Sequence, residues 1–188
     1  MSRIIVDSIR NSSASSDALT LSSDGKVTFP NNTGNILQVV SATKTDTAST
    51  NSTSFVTTGL EKAITITSGN KVLIFINLYV GQAAGFSVAF QLYNGSSLVT
   101  AFQGDDNSGS IRGFAGDFVT PYSYGQVAVS NSFLDSPSGT SQNYKVYWRN
   151  GYPNSSYGHA YINRPNTNPT HEQSVAACST ITLMEIAA

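Results

Sequence analysis

Charged residues are scarce in this chain. Asp, Glu, Lys and Arg make up 11% of its 188 residues, and the net charge is −1. An ordinary globular domain has about 25% charged residues. The ten basic residues are scattered singly, whereas a nucleic-acid-binding surface needs clustered Lys and Arg. We therefore expect no nucleic-acid partner.

Cysteine and histidine are almost absent. The single cysteine, Cys178, cannot form an internal disulfide, and we expect it to be a small buried apolar residue. The two histidines, His159 and His171, are too far from it and from each other to give a zinc spacing. The acidic segment at residues 105–107 lacks the closing Glu of a calcium-binding loop, so we expect a solvated turn there and not a calcium site. The sequence predicts no metal and no cofactor.

Long apolar runs are missing as well. No segment approaches the roughly 20 residues that cross a bilayer, and no secretory signal is visible at the N-terminus. We therefore expect no membrane insertion, and synthesis in a cytoplasm. Polar character comes instead from Ser, Thr, Asn, Gln and Gly, while 39% hydrophobic residues are enough to build a core.

Catalytic groups are equally sparse. A hydrolase needs a nucleophile, a base and an orienting group, and neither histidine lies in a context that supplies them. Acid pairs of the glycosidase kind remain open as an alternative. The acids that could form such a pair are Asp106, Asp117, Asp135 and Glu172. We predict that the protein is not an enzyme.

What the chain does contain is a series of short alternating segments with no helical period. Strands are predicted near residues 36–44, 54–58, 61–67, 72–80, 86–93, 97–102, 110–118, 125–134, 144–149, 159–163 and 178–186. Turn formers separate them, such as Asn94-Gly95. This spacing predicts an all-β fold, an antiparallel jelly-roll-like β-sandwich over residues 35–188.

The segment at residues 72–80 is apolar on both faces, which is typical of a strand covered on both sides. One side would meet the opposite sheet, and an identical subunit is the simplest cover for the other. We therefore predict a symmetric homo-oligomer. The expected interface residues are Leu73, Phe75, Leu78 and Tyr144. Alternation over residues 179–186 likewise predicts a paired, half-buried strand.

Residues 1–34 form a separate N-terminal segment. It has an apolar start and a short hairpin signal at Asp24-Gly25. Because so small a unit buries too little to fold alone, we expect it to dock on a larger assembly. The residues expected to make this docking contact are Ile4, Ile5, Val6, Ile9 and Arg10.

Aromatic residues are dense between residues 121 and 161. Trp148, Tyr152 and Tyr157 surround the loop at residues 153–156. Such side chains combine flat apolar area with a polar group, which suits the stacking of sugars. They form the candidate glycan-binding surface, although such residues suit protein interfaces as well, with simple loop packing as the equal alternative.

Several motifs resemble one known family. They are Met-Ser-Arg-Ile-Ile-Val-Asp at the N-terminus, Phe-Leu-Asp-Ser-Pro at residues 133–137, Tyr-Lys-Val-Tyr-Trp-Arg at residues 144–149, Tyr-Ile-Asn-Arg at residues 161–164 and Ser-Thr-Ile-Thr-Leu-Met-Glu-Ile at residues 179–186. In this order they resemble tail-fibre-like virion structural proteins of tailed phages that infect cyanobacteria. The family pattern contains no catalytic residues.

The resemblance implies a homotrimeric appendage that docks on the virion through its N-terminus and presents a jelly-roll head. Its partners would be copies of itself, other virion proteins and a host cell-surface glycan. Two alternatives stay open. One is a capsid decoration or cement protein that clamps shell subunits, and the other, from a different class, is a carbohydrate-active enzyme.

Overall fold

The computed structural model of the chain describes residues 6–25, 27–29, 34–82, 87–106, 109–116, 125–151, 159–167, 170, 172 and 174–188. Within these ranges the protein is all-β. Strands are joined by turns and loops, together with one 3-10 turn at Thr100–Phe102. All strand pairs are antiparallel.

The N-terminal strands form a small sheet of their own. Strand β1 (Ser8–Ile9) pairs with β2 (Leu19–Leu21), which pairs with β3 (Val27–Thr28). Gly25, in the turn between β2 and β3, has φ of 82°, a conformation that glycine adopts without steric cost. The predicted hairpin is therefore present.

The remaining strands form two sheets. They are β4 (Ile36–Lys44), β5 (Ala48–Thr50), β6 (Val56–Thr65), β7 (Lys71–Gln82), β8 (Val88–Asn94), β9 (Ser97–Leu98), β10 (Ala115–Gly116), β11 (Val127–Asp135), β12 (Ser141–Asn150), β13 (Ala160–Ile162) and β14 (Ser179–Ile186). The five-stranded sheet has the order β10-β8-β12-β6, with β9 beside β8. The six-stranded sheet has the order β4-β14-β7-β13-β5, with β11 on the other side of β7.

The pairing of the eight principal strands is nested. β4 pairs with β14, β6 with β12, β7 with β11, and β8 with β10. The first strand therefore pairs with the last, the second with the seventh, and so on inward, as in a hairpin folded over onto itself. That is the order of a jelly roll. The predicted jelly-roll-like sandwich is confirmed.

The core lies between the two sheets and is built by strict alternation. In β7 the inward residues from Val72 to Val80 are all apolar, namely Val72, Ile74, Ile76, Leu78 and Val80, and the buried Gln82 ends the strand. The facing sheet contributes Phe90, Leu92, Val146 and Trp148, all buried. Burying each such side chain stabilises the fold by about 1.5–3 kcal/mol relative to leaving it exposed.

Strand β14 lies between β4 and β7, so the predicted half-buried strand near the C-terminus is confirmed. Its Glu185 faces the interior and is 3% exposed. The carboxylate accepts hydrogen bonds from Gln38 Nε2 at 2.6 Å, from the Thr67 backbone N–H at 2.7 Å and from Asn70 Nδ2 at 2.6 Å. Burial opposes ionisation, but these donors outweigh it and lower the pKa of Glu185 below its usual value.

Several sequence expectations differ from the structure. Of the strands predicted at residues 97–102 and 110–118, only Ser97–Leu98 and Ala115–Gly116 are strands among the described residues, and Thr100–Phe102 forms the 3-10 turn. The strands predicted at residues 54–58 and 61–67 are one strand, β6, because Gly59 with φ of 79° lies opposite a register shift in β12 and lets the strand continue through a bulge. The short strand β5 was not predicted. Cys178 is exposed, so its predicted burial is wrong, because it precedes β14 on the outward parity of that strand.

Candidate functional site

Of the three predicted glycan-binding aromatics, the structure describes Trp148 alone. Trp148 points between the sheets and is 1% exposed, so its predicted contact with a ligand is wrong. The reason is strand parity, since alternate residues of β12 from Gln142 to Asn150 face inward. Tyr152 and Tyr157 lie outside the described residues.

The predicted interface residues divide between two faces. Leu78 and Tyr144 are fully buried inside the subunit, so assigning them to a subunit interface is wrong. The Tyr144 hydroxyl donates to Asp135 Oδ2 at 2.6 Å and so bridges the two sheets. Burial, and then the Asp135 carboxylate, raise the pKa of Tyr144, which keeps the hydroxyl protonated. Leu73 and Phe75 have the opposite parity and lie on the outer face of the six-stranded sheet.

Strand register collects further apolar side chains around Leu73. Leu134 of β11 pairs with Leu73, Leu73 with Met184 of β14, and Met184 with Val39 of β4, so that four apolar residues cross four strands in one row. Phe75 lies in the next row. Val39, Leu134 and Phe75 are 54%, 47% and 44% exposed. We call these five residues the apolar face.

The surroundings of the apolar face are neutral. A shallow depression beside Phe75 is lined by Asn77, Ser130, Ser132 and Thr180. The Ser130 hydroxyl donates to Asn77 Oδ1 at 2.7 Å, which fixes one wall. Among the outward-facing residues of β4, β7, β11 and β14, Lys71 is the one charged side chain.

The N-terminal sheet also exposes apolar side chains. Of the predicted docking residues, Val6 and Ile9 are exposed, and Arg10 lies beside Asp17 with 3.8 Å between Nε and Oδ1. Ile4 and Ile5 lie outside the described residues. Further exposed apolar residues of the same segment are Leu21, Val27 and Phe29.

A tyrosine pair lies on the outer face of the five-stranded sheet. The rings of Tyr93 and Tyr147 have centroids 4.2 Å apart and are tilted by 34°. The Tyr93 hydroxyl donates to Gln91 Oε1 at 3.3 Å. The alternation of β12 that buries its neighbour Trp148 places Tyr147 on the outer face.

A polar cleft of about 660 Å³ lies at one end of the sandwich. It is bounded by the β8–β9 turn, the 3-10 turn and the loop between β11 and β12. Its polar side chains are Asn94, Ser96, Ser97, Thr100, Asp135, Ser138, Ser141, Gln142 and Asn143. A small apolar portion comes from Leu98, Val99, Ala101 and Pro137. Trp148, the one described residue of the sequence-predicted glycan surface, does not line this cleft.

Other candidate chemistry is less organised. The His159 ring lies 6.0 Å from that of Tyr161, and Asp106 Oδ2 lies 3.9 Å from Arg112 Nη1. Asp117 and His171 lie outside the described residues. In the described part of the chain, no three His, Cys, Asp or Glu side chains are grouped so that they could hold a metal ion. That part also contains no helix long and apolar enough to cross a membrane.

No protein-family model matches the chain, and a search of curated proteins finds no significant match.

Proposed function

We propose that the chain is a non-enzymatic structural subunit of a tailed-phage virion. In this proposal it is a fibre-like appendage that docks through its N-terminal segment and presents a homotrimeric jelly-roll head to the host cell. The observation that carries the proposal is the apolar face, because a contiguous, exposed apolar patch on a sheet marks a protein interface.

Covering the apolar face would stabilise an assembly appreciably. Val39, Phe75 and Leu134 each leave about half of their surface in water. Full burial of such a side chain contributes about 1.5–3 kcal/mol, so completing the burial of each contributes about 1 kcal/mol. Three subunits meeting through this face would gain several such increments, which offset part of the entropy lost on association.

An identical subunit suits this face better than a charged partner does. Copies of one face that meet around a three-fold axis bring equal charges near one another, and Lys71, at the margin of the apolar face, is the one charged side chain on the outward side of its strands. Phe75 also projects beside a depression of Asn77, Ser130 and Thr180, so one copy offers both a projection and a recess. A trimer would further multiply weak contacts with a repetitive cell surface.

The N-terminal segment supports attachment to a particle. Its small sheet exposes Val6 and Ile9, and three strands of two or three residues cannot bury them alone. The head holds the segment's end at a fixed point, because the Gly34 N–H donates to the Ala187 carbonyl and the Ala187 N–H donates to the Asn35 carbonyl. We assign virion docking to Ile4, Ile5, Val6, Ile9 and Arg10.

Mass measurement tests the assembly. Light scattering coupled to gel filtration should give a mass near three times the subunit's 19.9 kDa. Phe75→Asp should give monomers, because it places a charge in the apolar face. The matched control is Ala63→Asp, on the outer face of the other sheet, which should remain trimeric. A monomeric wild-type protein, or a Phe75→Asp variant that stays assembled, would contradict the proposal.

Electron cryo-microscopy of the intact particle tests the location. We expect density for the head on a tail or fibre, with residues 1–34 in contact with another virion protein. Density that bridges neighbouring capsid subunits would instead identify a decoration or cement protein and refute the appendage role.

A further inference from the structure

The polar cleft at the end of the sandwich has the chemistry of a saccharide site. Among the described residues, its lining includes one carboxylate, Asp135, several amides and several hydroxyls, but no Lys, Arg or His. Anionic ligands would therefore find no counter-charge there. Sugar hydroxyls both donate and accept hydrogen bonds, as amides do, and the small apolar portion formed by Leu98, Val99 and Pro137 suits the C–H face of a sugar ring.

The polar groups of the cleft are held in place before any ligand arrives. Asn94 Nδ2 donates to Gln142 Oε1 at 2.6 Å, and the Asn143 N–H donates to Asn94 Oδ1 at 3.0 Å. Gln142 Nε2 donates in turn to the Gly139 carbonyl at 2.8 Å. Asp135 is fixed by the Tyr144 hydroxyl from the opposite sheet. Such a rigid network reduces the entropy cost of binding.

Asn143 joins this network through its main chain. Its N–H donates to Asn94 Oδ1, and its carbonyl accepts from the Gly95 N–H at 2.8 Å. Its side chain has the outward parity of β12 and its Oδ1 is buried, so a ligand in the cleft does not reach that oxygen.

The tyrosine pair lies close to the cleft on the same sheet. Tyr93 pairs with Leu98 of β9, and Leu98 lines the cleft. On its other side Tyr93 pairs with Lys145 of β12, and Asn143, two residues earlier in β12, also lines the cleft. Residues on one face of a strand repeat about every 7 Å, so the backbone of Tyr93 lies within roughly one sugar unit of residues that line the cleft. A chain of sugars leaving the cleft would meet an aromatic surface on which sugar rings stack.

We propose that this cleft binds neutral saccharides, with Asp135 contacting hydroxyls inside it and Tyr93 contacting the following sugar. The inference deepens the attachment part of the proposed function, because it names a ligand class and a site for it. It replaces the buried Trp148 as the candidate glycan contact.

The test uses the full-length protein and named probes. Methyl glycosides of glucose, galactose and mannose, and trisaccharides of the same sugars, are titrated at millimolar concentration by saturation-transfer NMR. At least one probe should bind, and a crystal soaked with it should show density beside Asp135. The trisaccharide of that sugar should bind more tightly than the monosaccharide, and Tyr93→Ala should abolish that gain.

Two variants probe the cleft itself. Asp135→Asn keeps an acceptor for Tyr144 but loses the charge, and should weaken binding about ten-fold, since hydrogen bonds to charged groups exceed neutral ones by about that factor. Ser97→Trp should block the cleft without removing an internal bond. Asp17→Asn, in the N-terminal segment, is the matched control and should bind like the wild type.

Several outcomes would overturn the assignment. They are failure of every probe to bind, density at another site, and unchanged affinity in both Asp135→Asn and Ser97→Trp. The mass of the assembly is measured on the same samples. A trimer that binds no saccharide refutes the cleft and leaves the structural role standing, whereas a monomer that binds saccharide refutes the trimer and leaves the cleft.

Discussion

Replacing Glu185 by glutamine should destabilise the head domain. In the wild type, one carboxylate oxygen of Glu185 accepts a hydrogen bond from Gln38, and the other accepts hydrogen bonds from Thr67 and Asn70. In Glu185→Gln the amide oxygen can keep one set of donors, but the amide NH₂ then faces the other set. The amide NH₂ cannot accept a hydrogen bond, so one set of donors loses its acceptor and the charge-assisted bonds to the carboxylate are lost, which costs about 2–3 kcal/mol. For a domain of this size, that corresponds to a melting temperature lower by about 4–12 °C.

The effect should depend on pH in a defined direction. The pKa of Glu185 lies below its usual value of 4.5, so the folded protein binds fewer protons at this site than the unfolded chain does near that pH. The stability that ionised Glu185 contributes is therefore fully present above about pH 4.5 and is lost as the pH falls through the lower pKa of the folded state. The difference between wild type and Glu185→Gln should shrink over that range.

Thermal unfolding of both proteins between neutral pH and pH 3 measures this difference. Glu61→Gln is the control, because Glu61 is a surface acid whose ion pair with Lys145, at 3.3 Å, contributes at most about 1 kcal/mol. Equal melting temperatures of wild type and Glu185→Gln at neutral pH would refute the reasoning. So would a difference that stays constant, or grows, as the pH falls.

Two further predictions concern packing and the inter-sheet bridge. Tyr144→Phe removes the hydroxyl that binds Asp135 and should lower the free energy of unfolding in denaturant by about 1.5–3 kcal/mol. The control Tyr147→Phe, on the outer face, should change that free energy by less than about 0.5 kcal/mol. Equal effects of the two changes would show that the bridge contributes nothing. Gly81→Ala should lower stability by about 3 kcal/mol or prevent folding, because the added Cβ would lie 2.2 Å from the Arg164 carbonyl oxygen. Gly104→Ala, whose Cβ would meet nothing closer than 3.8 Å, should be tolerated, and similar soluble yields and unfolding midpoints for both alanine variants would contradict the predicted clash.

The sequence predicts the strands well because alternation is a local property. β4, β7 and β14 follow their predicted ranges within two residues. The bulge at Gly59 was not visible, because a glycine between two alternating segments reads equally as a turn or as a bulge within one strand. Strand β12 decides between a turn and a bulge at Gly59, because it pairs with both halves of β6, and β12 is distant in the sequence.

The candidate sites were harder to predict, since they depend on which parity of a strand faces inward. β12 has aromatic residues on both parities, Tyr144 and Trp148 inward and Tyr147 outward, so composition cannot decide which one meets a ligand. The apolar face was found only through Leu73 and Phe75. Its other members come from β4, β11 and β14, and only strand register brings them together.

The nested pairing of the strands also sets the order in which this protein can be made. β14 fills the space between β4 and β7, and its Ile181 pairs with Ala42 and with Ile76, both synthesised more than a hundred residues earlier. On the ribosome, the six-stranded sheet therefore stays open until β14 has emerged. Folding dominated by such distant pairings is slow. A chain whose synthesis stops before β14 lacks a central strand, so a truncated product would be unable to complete the six-stranded sheet.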